Sequence, residues 1–592
     1  MRKYFFEKPG KIREYLLASI GKIKPSIILK NALIIDVYSG DIHGGNIVIY
    51  KDRIVGIRKE DVEAELEVDV KGKYVAPGFM DAHIHIESTL LAPPELSKTL
   101  LPHGVTSVFA DPHELANVLG IKGIKLLLKM SRDIPLRVFI EVPSRVPTAP
   151  GLETTGAQLN TRDVRKLLKT PYAVSLGELN YQNVLYGSYE YLEKIVIADE
   201  LGLIVNGHMA GLKDELLDAV ISAGLVDDHE CISYEEAIER VRRGCAVMVR
   251  EGSTERNLEN VIKAADKVKD TRKFLMCTDD KHPDDILVEG HIDFNVRKAV
   301  EHGVDPVKAI QMATLNIAQH FGLEYYIGSI APLRKADIVI LDDLEKVKVN
   351  KVIFDGKIAY SDGKVLWNIG KVRVPKWALR TVKINPELHS KDLLITVNKQ
   401  YSKAFVRVMK VIENQIVVKE EKVWLSVEEG IIASDVERDV LHIAVVERHR
   451  GLKNVGKSFV KGFGIKNGAI GSTVAHDHHN VVVVGDNAND MFFAVKELEK
   501  MGGGFIVVSK RKVLAKLPLP IAGLISTKKA NTVIKKIREV NRAAHSLGCS
   551  LEKPFMQLSF ITLPTVPELG LTDKGLIDSK RYKLVNPVIA LT

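Results

Sequence analysis

Apolar positions recur along this chain in short runs, and the spacing between the runs changes twice. Near the start, Ile12, Tyr15, Leu16 and Ile20 fall on one helical face and define an N-terminal helical segment over residues 1–24. Short β patterns follow in SIILKNALIID and in GNIVIYKDRIVGIRK, the latter with a turn at Lys51 and Asp52. From about Pro77 the rhythm becomes brief, nearly all-apolar strands separated by helix-length stretches: GFMDAHIH, VTSVFADPH, LRVFIEVPS, AVSLGEL, LIVNGHM, GLVDDHE, CAVMVREGS and KFLMCTDD. Strands that are apolar on both faces belong to a parallel sheet covered by helices, and eight of them suffice to close a (β/α)8 barrel of the TIM type.

After the barrel, ADIVILDD, KVIFDGKIAY and GKVLWNIG return to short β character, so strands on either side of the barrel can pair with each other. The expected architecture is α/β throughout. It comprises a composite β-sandwich from residues 25–76 and 326–372, a barrel over 77–325, and an additional C-terminal α/β domain over 385–592. The Pro-bearing stretch WALRTVKINPELHS reads as a linker into that last domain, whose strands include IVVKE, LHIAVVERH, NVVVVGD and GFIVVSK.

Composition narrows the function classes. With 46% hydrophobic and 27% charged residues the chain is an ordinary globular one, and its net charge of +9 is scattered, which argues against a nucleic-acid partner. The densest basic stretch, KKANTVIKKIR, carries Val533, Ile534 and Ile537 at helical spacing, so its lysines form the wet side of a helix. Cys231, Cys245, Cys277 and Cys549 are far apart and suggest neither a disulfide framework nor a thiolate metal site. No apolar signal core and no uninterrupted apolar run of roughly 18 residues is present, so the expectation is a cytoplasmic protein with no membrane partner.

The polar residues sit where strands end. His85, His113, Glu178, His208, His229 and Asp279 all fall at the transition from strand to loop, the rim on which barrel enzymes assemble their sites. In a strand, residues i and i+2 share a side, so His83 and His85 can share a metal ion without backbone distortion. Taken alone, that spacing equally describes two satisfied polar histidines. The further groups at other strand ends, imidazole and carboxylate without thiolate, suit Zn, Mn or Fe(II) in a hydrolytic site, and they are more than one ion needs. A binuclear centre is the expectation.

Several motifs occur in one order: PGFMDAHIHIES, GVTSVFADPHE, SLGELN, NGHMAGL, LVDDHE, MVREGS, CTDDKHPDDILVEGHID and STVAHDHHN. The first resembles the opening strand of the amidohydrolase superfamily, and the set, from about residue 25 to the C-terminus, resembles the adenine deaminase family within it. The resemblance implies two divalent ions, Mn2+ or Fe2+ with Zn2+ as a further option. One would be held by His83 and His85 and the other by His208 and His229, with Glu178 spanning them in place of the carboxylated lysine of many superfamily members. It also implies a small-molecule purine substrate, attack of a metal-bridging hydroxide on C6 of adenine, Asp279 as the catalytic acid and base, and a homo-oligomer.

Candidate substrate contacts are His113, Glu114, Ser144, Arg145, Glu289 and His291, of which Glu114 equally suits a helix cap and Glu289 and His291 a supporting role behind the ligands. Asp280 suits a helix N-cap. The cluster His476, Asp477, His478 and His479 closes over the site, binds an extra ion, or makes a polar turn, and alternation places His476 and His478 on one face. GDNANDM is too loose for a phosphate loop and reads as a turn. A cytidine-deaminase-like zinc site is excluded because PCxxC is absent, although His85-Ile86-Glu87 spells HxE. The rival readings are a cyclic-amide hydrolase of the dihydroorotase or hydantoinase kind and a catalytically silent scaffold.

Overall fold

The computed structural model describes residues 9–370, 373–413 and 415–592. The expected N-terminal segment lies partly outside these residues; within them a helix spans Pro9–Ser19. Ala18 and Tyr15 turn inward, Tyr15 donating from its hydroxyl to Asp52 (2.7 Å), while Ile12, Leu16 and Ile20 remain exposed.

The flanking β segments build one nine-stranded sheet. Its two halves join where Ile338–Asp343, from after the barrel, lies antiparallel to Tyr74–Pro77, from before it. The sheet curls until Arg53 pairs with Lys335, enclosing Ile27, Leu29, Ile34, Ile49, Val75, Ile338 and Ile340. Both ends of the intervening segment are thereby pinned.

Between them run eight strands: β1 (Phe79–Ile84), β2 (Val105–Ala110), β3 (Arg137–Val142), β4 (Ala173–Asn180), β5 (Ile204–His208), β6 (Asp227–Asp228), β7 (Ala246–Arg250) and β8 (Phe274–Cys277). They form a TIM-barrel-like arrangement, but not the single closed ladder expected. Strands β1 to β5 make one parallel sheet and β6 to β8 another. Only isolated bridges, Val205 to Leu225 and Ile84 to Asp279, mark the seams.

Carboxylates explain the interruptions. At one seam the β5 amides of Gly207 and the following Met209 donate to the side chains of Asp227 (2.9 Å) and Asp228 (3.1 Å) instead of to backbone carbonyls. At the other, Asp81 accepts from the Thr278 amide (3.0 Å) and hydroxyl. Each buried amide stays satisfied while the ladder stops.

Alternation along the strands positions the site. Phe109, Phe139, Met248 and Cys277 pack together in the lower interior, where Phe109 stacks on Phe139 (centroids 5.0 Å apart) and on Phe321 (4.2 Å). Two residues on from each stand Asp111, Glu141, Arg250 and Asp279, all buried. The period of two therefore turns an apolar floor into a polar rim within one step.

The C-terminal region contains a ten-stranded sheet centred on the fully buried strand Val481–Gly485, with helices Ala488–Met501 and Ala530–Ser546 packed against it. Val533, Ile534 and Ile537 form the inner face of the second helix. WALRTVKINPELHS is not a free linker: Val382, Ile384 and Leu388 are buried in the same core as Val481 and Leu498. Nor is GDNANDM merely a turn, since Asn487 caps helix Ala488–Met501 by accepting from the Asp490 amide (2.9 Å).

Candidate metal centre

His83 and His85 leave β1 with different supports. His83 Nδ1 meets Glu141 Oε2 at 2.6 Å, and its Nε2, fully buried, has no hydrogen-bond partner. His85 Nδ1 donates to the Asp111 carbonyl (3.0 Å), because a carbonyl can only accept, and this leaves Nε2 as a lone-pair donor. That nitrogen lies 3.1 Å from Asp279 Oδ1 and 3.8 Å from Glu178 Oε1. The other oxygen of Glu178 faces His229 Nε2 (3.1 Å) and His208 Nδ1 (3.2 Å). One carboxylate thus points an oxygen at each of two imidazole pairs. Ligand-type atoms of His83, His85 and Glu178 come within 4.8 Å of one another, and so do those of Glu178, His208 and His229. A buried ring nitrogen without a partner, among soft-neutral and hard anionic donors, fits divalent ions.

Charge fills the remaining shell. Arg145 ion-pairs with Glu178 and with Asp477 of the C-terminal region (2.6 Å for the latter), and His113 Nε2 meets Asp477 at 3.3 Å. Arg250 joins Glu230 (2.7 Å) to Asp279 (2.9 Å). Burial alone would raise the Asp279 carboxyl, but the adjacent His85 imidazole and the charges of His229 and Arg250 hold it well below the usual range. Burial likewise opposes ionisation of His113, yet Asp477 and Asp111 lift it to about 10.

Glu114, in the first turn of helix His113–Leu119, is 2.5 Å from His476 Nδ1. Burial disfavours both charges, but each stabilises the other: Glu114 is lowered, and His476 is raised to about 9. His476 also stacks on Phe560, with centroids 5.2 Å apart. Ile416, Phe560 and Leu563 complete an apolar wall opposite the histidines, in the same cleft as His85, Glu114, Glu178 and Asp279.

The other sequence candidates lie elsewhere. Ser144 donates to the Glu178 carbonyl (2.6 Å) and is not part of the cleft lining. Glu289, the last residue of helix Pro283–Glu289, pairs with Arg256 (2.8 Å) and Lys281 (3.3 Å) and does not line the cleft. His291 is buried behind β1, 3.4 Å from Asp81. His478 does not share a side with His476: residues 476–478 form a turn, so the strand period fails, and His478 Nε2 faces the Leu571 carbonyl (3.3 Å). Asp280 does not cap a helix. Its carboxylate accepts from Ser88 and lines the cleft, and His282 holds the N-cap position.

Sequence reasoning overlooked Glu141, Glu230 and Arg250. Each had a signal, since Glu141 and Arg250 stand at strand ends on the same alternation as Asp279, and Glu230 directly follows His229. Asp477 entered only as a member of the His476–His479 cluster, with no partner assigned.

The chain resembles known proteins along nearly its whole length. The amidohydrolase family matches residues 74–359, and the adenine deaminase C-terminal domain matches residues 415–583. Adenine deaminase from Desulforamulus reducens is 44% identical over 580 residues, covering 98% of each chain. The enzyme from Kosmotoga olearia is 40% identical over 560 residues (94% of this chain, 96% of that one), and that from Methanothrix thermoacetophila is 40% identical over 573 (97% and 98%). On this likeness over nearly its whole length, the chain belongs to the adenine deaminase family of amidohydrolases.

Proposed function

We propose that the protein hydrolyses adenine to hypoxanthine and ammonia in this cleft. The observation that carries the reading is the convergence of His83, His85, Glu178, His208, His229 and Asp279 beside a cleft that Ile416, Phe560 and Leu563 also line. His83 and His85 would hold one divalent ion, Mn2+ or Fe2+, and His208 and His229 the other, with Glu178 between them. When bound, such ions lower the pKa of an associated water toward neutrality and so supply a nucleophile.

The chain's own groups do the rest. Asp279, poised as a carboxylate beside His85, takes the proton of the attacking water and returns it to the exocyclic nitrogen, which leaves as ammonia. Glu114, held ionised beside His476 in the same cleft, is placed to accept a hydrogen bond from an N–H of the base. Phe560, Ile416 and Leu563 cover a face of the ring and keep bulk water from the reacting carbon. The four cysteines are free and buried, which suits a reducing cytoplasm, and among the described residues no helix is long and apolar enough to cross a membrane.

The test is to load the protein with Mn2+ and follow adenine by absorbance alongside ammonia. Stoichiometric hypoxanthine and ammonia, abolished by a chelator and restored by Mn2+, is the expected result. No turnover of adenine, together with hydrolysis of a cyclic amide, would replace this reading.

A further inference from the structure

At the ends of β4, β5 and β6, four ligand-type atoms face each other at nearly equal distances. Glu178 Oε2 is 3.2 Å from His208 Nδ1 and 3.1 Å from His229 Nε2, and the two nitrogens are 3.4 Å apart. The fourth atom belongs to a residue outside the expected ligand set: Glu230 Oε1 lies 3.4 Å from His208 Nδ1 and 3.3 Å from His229 Nε2. Atoms held at about 2.0–2.1 Å from a common ion stand roughly 3.0 Å apart at octahedral right angles and roughly 3.4 Å apart at tetrahedral angles. All five separations fall in that interval.

Hydrogen bonding alone does not account for the arrangement. Each ring nitrogen faces two carboxylate oxygens and the other nitrogen, whereas a single N–H can point along only one of those directions. Arg250 engages Glu230 from behind, with its two terminal nitrogens at 2.7 Å from Oε1 and 3.1 Å from Oε2. It therefore orients the carboxylate and leaves Oε1 turned toward the imidazoles.

We propose that Glu230 is a fourth protein ligand to the ion held by His208, His229 and Glu178, with Arg250 as its positioning residue. The inference rests on the two-ion reading above and makes the two positions unequal. Four protein ligands would close this position in the manner of a structural site, leaving the open coordination position to the ion beside His83, His85 and Asp279.

Metal analysis after dialysis of Mn2+-loaded protein against a chelator tests this. Wild type is expected to retain two ions per chain and Glu230→Gln only one. Its affinity for the second should fall more than about 100-fold, beyond what loss of an outer-sphere partner produces. Anomalous scattering from Mn2+-loaded wild-type crystals needs no variant, and it should place an ion about 2.0–2.5 Å from Glu230 Oε1. Two ions held by Glu230→Gln at wild-type affinity, or an anomalous peak more than about 3 Å from that oxygen, would overturn the assignment while leaving the two-ion reading intact. Wild type that binds fewer than two ions would instead remove both.

Discussion

On the barrel side of the cleft, Asp111, Glu141, Arg250 and Asp279 each stand two residues beyond an inward apolar side chain of the same strand segment. On the C-terminal side, His476 and Asp477 come from a turn, Phe560 from the end of helix Pro554–Phe560, and Ile416 and Leu563 from loops. The barrel side supplies imidazoles and carboxylates on a backbone fixed by strand pairing. The other supplies an apolar wall and one buried ion-pair network that exists only when the two regions dock. The difference separates holding and activating water from recognising the base.

The largest expected effect breaks the barrel side. Asp279→Asn removes the proton acceptor and should lower kcat by about 10³-fold or more, while metal analysis still finds both ions. Wild-type kcat in that variant would take Asp279 out of the chemistry.

Next comes the docking network. Asp477→Asn leaves Arg145, His113 and Thr148 without their shared anionic partner, at buried positions. Denaturant titration should show a loss of about 1–3 kcal/mol, because two buried cations then share only Glu178 and Asp111 as anionic partners. A variant as stable as wild type would mean that the C-terminal region merely rests on the barrel.

A smaller effect addresses recognition. Phe560→Ala should raise KM for adenine by about 10-fold, within the 1–3 kcal/mol typical of a base against an aromatic ring, with kcat and metal content retained. A change confined to kcat would relocate the base.

The smallest effect is in stability against pH. Glu153 is buried, and burial with the nearby charge of Asp477 outweighs the hydrogen bond it accepts from the Ala149 amide (2.9 Å), pushing it up to about 8. Since its folded pKa lies above the ordinary 4.5, its contribution is complete below that value and is lost as pH rises through about 8. Glu153→Gln should therefore melt higher than wild type at pH 9 and differ little at pH 4. Equal differences at both pH values would show that Glu153 does not titrate there.

By itself the sequence determined the eight strands, the two β segments around them, and the strand-end histidines and carboxylates, because period-two alternation and apolar run length are local properties. The pairing of Glu141 with His83, the approach of Glu230 to His208 and His229, and the meeting of Asp477 with Arg145 were decided only by the tertiary structure. Each joins residues on different elements, and the last joins residues 332 apart in the chain. The same holds for the seams: only the fold shows Asp81, Asp227 and Asp228 accepting the amides that would have completed the ladder. His478 marks the limit of local reading, since a turn at 476–478 sends it away from His476, toward the Leu571 carbonyl.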